Sequence, residues 1–139
     1  MKRLLFSLAL SLIAMVSMAQ AKYVFYFIGD GMGANQVLAA EMYQAALQGQ
    51  INRVPLLMSQ FPYSGQAATF SASYGITDSA AAGTCLASGK KTNNGMIGQT
   101  PDGEPAYSVA SKLHDEGWAV GIMSSVPVDH ATPASQYAH

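Results

Sequence analysis

Three short polar clusters hold the residues of this sequence whose types and spacing could do chemistry. The first is residues 29–33 (GDGMG), in which the carboxylate of Asp30 stands between two glycines. Aspartate is a hard oxygen ligand that suits Mg²⁺ and can also bind Zn²⁺. An aspartate in a glycine-rich turn is also common without any ligand. This cluster alone therefore leaves a metal ligand and a plain turn residue open.

The second cluster is residues 77–84 (TDSAAAGT), which read as the start of a helix capped by Asp78 or Ser79. A serine at a helix N-terminus lies where backbone N–H groups and the helix dipole favour an anion, so a phosphate esterified there is stabilised. Serine is a weak nucleophile and needs a base or a metal to activate it. Because no histidine lies near Ser79 in the sequence, metal activation is the simpler hypothesis.

The third cluster is residues 129–133 (DHATP), which bring a carboxylate, an imidazole and a hydroxyl together. His130 and Thr132 are the candidate ligands here. Thr132 also has a purely structural interpretation, because a threonine before Pro133 can cap a helix that begins at the proline.

The elements that must position these clusters alternate between strands and helices. Apolar runs predict strands at residues 23–28, 63–70 and 118–123, and helix formers predict helices at residues 35–47, 79–88 and 108–116, with another that begins at Pro133. Residues 90–104 are polar and predict a surface loop. This alternation predicts an α/β fold with a mainly parallel sheet and helices on both faces. Ligand sites in such folds gather at the carboxyl ends of strands, where all three clusters fall.

The first twenty-one residues predict a secretory signal peptide. Lys2 and Arg3 precede an apolar run at residues 4–18, and residues 19–21 (AQA) supply a small-residue cleavage pattern ending at Ala21. A membrane anchor is the alternative, but the run is shorter than the roughly 20 residues that span a bilayer. The sequence therefore predicts a periplasmic or secreted protein with no membrane association after cleavage.

The composition of the remaining chain excludes some functions. Five basic residues against eight acidic ones, without a basic stripe, give no sign of nucleic-acid binding. A single cysteine, Cys85, excludes an internal disulfide.

Taken together and in order, the clusters resemble the alkaline phosphatase family. Residues 29–32 (GDGM) are similar to its metal-binding aspartate motif, and residues 78–81 (DSAA) are similar to its nucleophile motif. Residues 91–95 (KTNNG) and 130–134 (HATPA) match two further family segments. The resemblance runs from about residue 23 to residue 139. Four ordered motifs are far more specific than any one of them.

The resemblance implies a three-layer α/β sandwich and hydrolysis of phosphate monoesters on two zinc ions and one magnesium ion. Asp30 would bridge a zinc ion and the magnesium. Ser79, with zinc at its oxygen, would be the nucleophile and carry a phosphoserine intermediate, and Asp78 would orient an arginine that grips the phosphate. Thr132 would bind magnesium, with His130 beside it at the same site. The full-length family also implies a homodimer.

The resemblance implies that residues 22–139 are the amino-terminal part of a longer phosphatase domain, and the count of metal donors agrees that two zinc sites cannot be built from this chain. A catalytic zinc ion usually takes three protein ligands, and the whole sequence has three scattered histidines and one cysteine. In the family the arginine and most zinc ligands follow this region. We therefore expect little or no activity from this chain alone.

Other functions remain open at this level. A phosphodiesterase, a sulfatase or a metal-dependent mutase can share the same scaffold. A sulfatase is disfavoured, because Ser79 is not followed by the x-Pro-x-Arg pattern expected there. A non-catalytic periplasmic protein that binds phosphate or a metal is a rival from another class, and a short structural protein is a third.

Overall fold

The computed structural model describes residues 21–138 of the chain, and the elements of this part are helices. In chain order they are α1 (Ala34–Leu47), a short 3-10 helix (Leu57–Gln60), α2 (Ser79–Ser88), α3 (Val109–Asp115) and α4 (Ala131–Ala134). The predicted signal peptide lies outside the described residues, except for Ala21. Within the described part, no helix is long and apolar enough to cross a bilayer.

The predicted helices are confirmed where alanine-rich or amphipathic runs carry their own start and stop signals. Helix α2 begins after Asp78, whose carboxylate accepts a hydrogen bond from the N–H of Ala81 at 2.9 Å. It ends at Gly89, whose φ of 72° closes the helix in the left-handed region that glycine adopts freely. Helix α3 is capped in the same way, because the hydroxyl of Ser108 accepts from the N–H of Ser111 at 3.0 Å.

Helix α4 corrects the structural interpretation of Thr132. The helix begins at Ala131, so Thr132 lies inside its first turn, and the residue at the N-cap is His130. Pro133 is tolerated there because the first turn of a helix needs no intrahelical N–H donor. The hydroxyl of Thr132 is consequently free to bind outside the helix.

The predicted strands at residues 23–28, 63–70 and 118–123 are not formed in the described part of the chain. The only sheet-like pairing there is an isolated antiparallel bridge between Gln99 and Pro105. The side chains of Phe25 and Phe27 are 78% and 87% exposed, where the prediction had them buried on both faces. A strand, unlike a helix, takes its hydrogen bonds from a neighbouring strand, and among the described residues no ladder of backbone hydrogen bonds joins these runs to another segment.

The packed centre of the described chain is helix α2. It packs against α4 and against α3, and its buried residues are small: Ala80, Ala81, Gly83, Thr84 and Ala87. Small side chains allow helices to approach closely, so the packing fixes the distance between their N-terminal ends.

The predicted surface loop at residues 90–104 is partly buried against this centre. The hydroxyl of Thr84 accepts from the N–H of Gly98 at 3.0 Å and donates to the carbonyl of Met96 at 3.3 Å. The side chain of Thr92 is fully buried, and its carbonyl accepts from the N–H of Ala72 at 2.8 Å. The middle of the loop is therefore hydrogen-bonded to α2 through Thr84.

Candidate active site

The turn that carries Asp30 places a carboxylate at the surface just before helix α1. Gly31 adopts a φ of 67°, and the carbonyl of Gly29 accepts from the N–H of Met32 at 3.2 Å. A positive φ of this kind is readily available only to glycine, so the turn requires Gly31. Asp30 itself is exposed, so its carboxylate can meet other chain segments.

Two hydroxyl groups from distant parts of the sequence donate to this carboxylate. Ser79 Oγ lies 3.1 Å from Asp30 Oδ2 and 3.3 Å from Oδ1, and Thr132 Oγ1 lies 2.8 Å from Oδ2. The two donors are 49 and 102 residues away from Asp30 along the chain. One carboxylate oxygen thus joins all three predicted clusters at a single point.

The hydrogen bonds to Asp30 also set its protonation. The hydroxyl of Thr132, followed by that of Ser79, holds the pKa of the Asp30 carboxyl below its usual value, because both donors stabilise the ionised form. Partial desolvation acts in the opposite direction. The charge of the nearby His130 imidazole and the backbone N–H of Gly31 lower the pKa further. The carboxylate is therefore ionised at neutral pH and available to bind a cation.

Asp78, one residue before Ser79, fastens the start of α2 to the loop 90–104. Its Oδ1 accepts from the N–H of Ala81, and its Oδ2 accepts from the N–H of Gly95 at 2.6 Å. The side chain of Asn94 adds a bridge, because its Oδ1 accepts from the N–H of Asp78 at 3.3 Å and its Nδ2 donates to the carbonyl of Ile76 at 3.1 Å. The turn that presents Ser79 is held from both sides.

The donors gathered at this point suit magnesium by their chemistry. Asp30, Ser79 and Thr132 offer a carboxylate and two hydroxyl oxygens, which are the hard ligands that Mg²⁺ prefers. His130 stands next to this group at the N-cap of α4. Within residues 21–138 no three residues among His, Cys, Asp and Glu come together as a metal cluster. One carboxylate and two hydroxyls could hold a single hard divalent cation through oxygen ligands.

Comparison with known proteins covers nearly all of the described chain. The family model described as alkaline phosphatase matches residues 21–139. The chain belongs to the alkaline phosphatase family. It is 37% identical over 130 residues to the tissue-nonspecific alkaline phosphatase of Gallus gallus, a match that covers 86% of this chain and 25% of that protein. The corresponding human isozyme is 34% identical over 134 residues, with 86% and 25% covered.

A solved structure resembles the described fold as well. The crystal structure of a cold-active alkaline phosphatase from a psychrophilic Shewanella species superposes with a TM-score of 0.75 at 31% identity. That match covers 81% of this chain and 28% of the Shewanella chain. The chain therefore spans about a quarter of the length of these alkaline phosphatases.

Family membership gives the assembled site its context. Ser79 and Thr132 both donate to the carboxylate of Asp30, so one residue from each of the three clusters meets at this point. His130 stands close enough to influence Asp30 by its charge, and Asp78 contacts the backbone on two sides of the Ser79 turn. The geometry groups the residues, and their roles in an alkaline phosphatase reaction are taken up as proposals below.

The sequence analysis missed two features of the site. It matched residues 91–95 to a family segment without a role, whereas Asn94 and Gly95 hold the turn before Ser79. The adjacent Asn-Gly pair, a strong turn signal, could have drawn attention to them. Gly83, which falls inside the predicted helix 79–88, also lies against Ser135 of the α4 region. Nothing in the sequence marks that contact.

Proposed function

We propose that this chain forms the nucleophile-bearing part of an alkaline phosphatase that hydrolyses phosphate monoesters through a phosphoserine at Ser79. The observation that carries the proposal is the placement of Ser79 as the first residue of α2, with its hydroxyl on the carboxylate of Asp30. The family match supports the reaction class.

The reaction has two displacements at phosphorus. In the first, Ser79 Oγ forms a bond to phosphorus as the ester P–O bond breaks and the alcohol leaves. In the second, water forms a P–O bond as the Ser79–phosphorus bond breaks, which releases inorganic phosphate and restores the hydroxyl. The phosphoryl group on Ser79 lies at the N-terminus of α2, where the helix dipole favours its negative charge.

The other residues of the site orient these steps. Asp30 holds the Ser79 hydroxyl in place before attack, and Thr132 donates to the same oxygen of Asp30 and so helps to fix the carboxylate. Asp78 keeps the first turn of α2 formed, and in the family pattern it also orients the arginine that grips the phosphate. Each of these contacts fixes geometry, which is the main demand that phosphoryl transfer makes on the protein.

The proposed metal content is two zinc ions and one magnesium ion. Asp30 and Thr132 would hold the magnesium with His130 beside them, and Asp30 and Ser79 would each contribute to a zinc ion. When bound, such ions stabilise negative charge on the attacking and leaving oxygens. We propose that the further zinc ligands and the arginine belong to the three quarters of the family's length that this chain does not span.

The remaining proposals concern the complete protein. The segments at residues 23–28, 63–70 and 118–123 would be strands of a three-layer sandwich once their neighbours are present. The leader at residues 1–21 would direct the protein to the periplasm or the exterior, without membrane association after cleavage. The assembled enzyme would be a homodimer, as the resemblance implies, and would have no specific affinity for nucleic acid.

The test is replacement of the nucleophile. Ser79→Ala is made in the longest natural polypeptide that contains residues 22–139, called the full polypeptide below. Hydrolysis of a chromogenic phosphate monoester should fall by at least about 10³-fold, because no other residue can take over the covalent step. Labelling with radioactive phosphate at acidic pH should mark Ser79 in the wild type and disappear in the variant.

The matched control is Ser88→Ala, which removes a hydroxyl from the other end of the same helix. Ser88 Oγ donates to the carbonyl of Thr84, far from Asp30. This variant should keep hydrolysis and labelling. A phosphate label that persists in Ser79→Ala, or a wild type that binds phosphate without turning over the ester, would overturn the proposal. Faster turnover of a diester than of the monoester would assign a phosphodiesterase instead.

A further inference from the structure

Helices α2 and α4 meet at a contact that leaves no room for a side chain on Gly83. A Cβ atom built on Gly83 would lie 2.5 Å from Ser135 Oγ and 3.1 Å from Ser135 Cβ, and 3.6 Å from the Cα of Thr132. The first two distances are shorter than ordinary contacts between non-bonded atoms. Glycine is therefore required here for close approach, although the helix itself would favour alanine.

Ser135 cannot readily turn away to make room. Its side chain is 1% exposed, its hydroxyl donates to the carbonyl of Thr132 at 2.8 Å, and it accepts from the side-chain amide of Gln136 at 3.2 Å. A different rotamer would break both bonds and would still leave its Cβ too close to the new atom. A side chain on Gly83 must therefore push α4 away from α2.

This contact lies one helical turn from the candidate active site. Ser79 precedes Gly83 by four residues on α2, so both lie on the same side of that helix. Thr132 lies at the start of α4, three residues before Ser135, and the hydroxyl of Ser135 donates a hydrogen bond to the carbonyl of Thr132. The separation of the two segments at Gly83 and Ser135 therefore sets the separation of the two hydroxyls that share Asp30 Oδ2.

We propose that Gly83 and Ser135 are positioning residues whose close contact holds Ser79 and Thr132 on the same oxygen of Asp30. They act through α2 and α4 and touch no reacting atom. The kinetic part of this inference rests on the proposed phosphatase function, and the structural part does not.

The experiment is a graded series of variants in the full polypeptide. Gly83→Ala should lower kcat by about 10²-fold, because a misplacement of about 1 Å at reacting groups costs that much. The KM should change far less, since the substrate-binding groups stay in place. Adding Ser135→Ala removes the closer of the two clashing atoms and should restore kcat in part. Adding Ser135→Gly removes both and should restore most of it.

Ala82→Ser is the matched control, because it adds one heavy atom to the neighbouring residue of the same helix, which is only partly buried. It should leave kcat within a few-fold of the wild type. Ser135→Gly alone reports the cost of losing the serine, against which the double variant is judged. An unchanged kcat in Gly83→Ala, or an equal loss in all Gly83→Ala combinations, would overturn the inference.

A crystal structure of each variant supplies a readout that does not depend on activity. In Gly83→Ala, either Ser79 Oγ or Thr132 Oγ1 should leave hydrogen-bonding distance of Asp30 Oδ2, and both should return with Ser135→Gly. If the wild type proves inactive, the proposed function fails while these distances still decide the spacing role. If Gly83→Ala does not fold, the double variant Gly83→Ala/Ser135→Gly should fold, because the clashing side chain is gone. A double variant that fails to fold, while Ser135→Gly alone folds, would refute the inference that Gly83 and Ser135 set the helix spacing.

Discussion

Helix α2 differs from the apolar segments at residues 23–28 and 118–123 in the contacts that stabilise it. Helix α2 has a side-chain cap at its start, a left-handed glycine at its end, and hydrogen bonds from Thr84 into the loop 90–104. The segment 23–28 has aromatic and β-branched side chains that are mostly exposed. Its ring stack between Phe25 and Phe27 is internal to the segment, with centroids 6.5 Å apart.

The difference separates two kinds of information in the sequence. The bounds of a capped helix or a turn are specified by residues a few positions apart, so a short stretch of sequence is enough to recognise them. A strand is specified by its own pattern but completed by a neighbour from elsewhere in a chain. The candidate active site combines both kinds, because each of its residues sits on a turn or a helix start, whereas their meeting joins positions 49 and 102 residues apart.

The largest effect that this comparison predicts is in hydrogen exchange. In the isolated 139-residue chain, the amide hydrogens of residues 24–27 should exchange about 10³-fold faster than those of residues 83–88. The reason is that protection ranges from almost none in segments without hydrogen bonds to the full free energy of unfolding in packed helices. Among the described residues, no backbone hydrogen bond is made by the first group. Exchange followed by mass spectrometry or NMR measures both groups in one sample.

The same measurement on the full polypeptide sharpens the comparison. There, residues 24–27 should become protected, because a neighbouring strand would complete their hydrogen bonds. Equal exchange rates for the two groups in the isolated 139-residue chain would contradict the difference in stability between helix α2 and the segment 24–27. Residues 24–27 that stay unprotected in the full polypeptide would contradict the predicted strand.

The sequence predicted the helices well because they depend on short-range chemistry. The bounds of α2 follow from Asp78, the alanine run and Gly89, and all three can be recognised without a structure. The meeting of Ser79 and Thr132 on Asp30 could be expected from the family motifs but not from spacing, since it depends on the contact at Gly83. The missing strands could not be foreseen, because the apolar pattern does not say which segment will lie alongside.

A smaller effect is expected from the clamp that Asn94 forms on the turn before Ser79 through two side-chain hydrogen bonds. Asn94→Ala removes the two side-chain hydrogen bonds to Ile76 and Asp78, and should lower the free energy of unfolding by about 1.5 kcal/mol. The neighbouring Asn93→Ala is a control of the same type and size. The Asn93 side chain is not part of this clamp, so the change should stay within about 0.5 kcal/mol.

Urea denaturation of the full polypeptide measures both variants under the same conditions. Equal losses for Asn93→Ala and Asn94→Ala would mean that the loop contributes only by its backbone. A loss in Asn94→Ala with unaltered phosphate labelling of Ser79 would limit the clamp to stability, whereas a reduced rate of labelling would extend it to the orientation of the nucleophile.

The smallest effect concerns Glu41, a buried carboxylate of α1 that is satisfied locally in the same manner as Asp78. The hydroxyl of Ser59, the backbone N–H of Leu56 and the guanidinium of Arg53 hold its pKa below the usual 4.5, against the opposing effect of burial. A carboxyl group whose pKa is lower in the folded state than in the unfolded state stabilises the folded protein. This contribution is complete at pH values above the unfolded-state pKa, and it is lost as the pH falls through the folded-state pKa. The free energy of unfolding of the wild type should therefore decrease on acidification below about pH 4.5 more steeply than that of Glu41→Gln.

Denaturation at a series of pH values, with Glu116→Gln as the same exchange on an exposed glutamate, measures the difference in slope. A Glu41→Gln slope as steep as that of the wild type would mean that the charge of Glu41 contributes nothing to the pH dependence of stability.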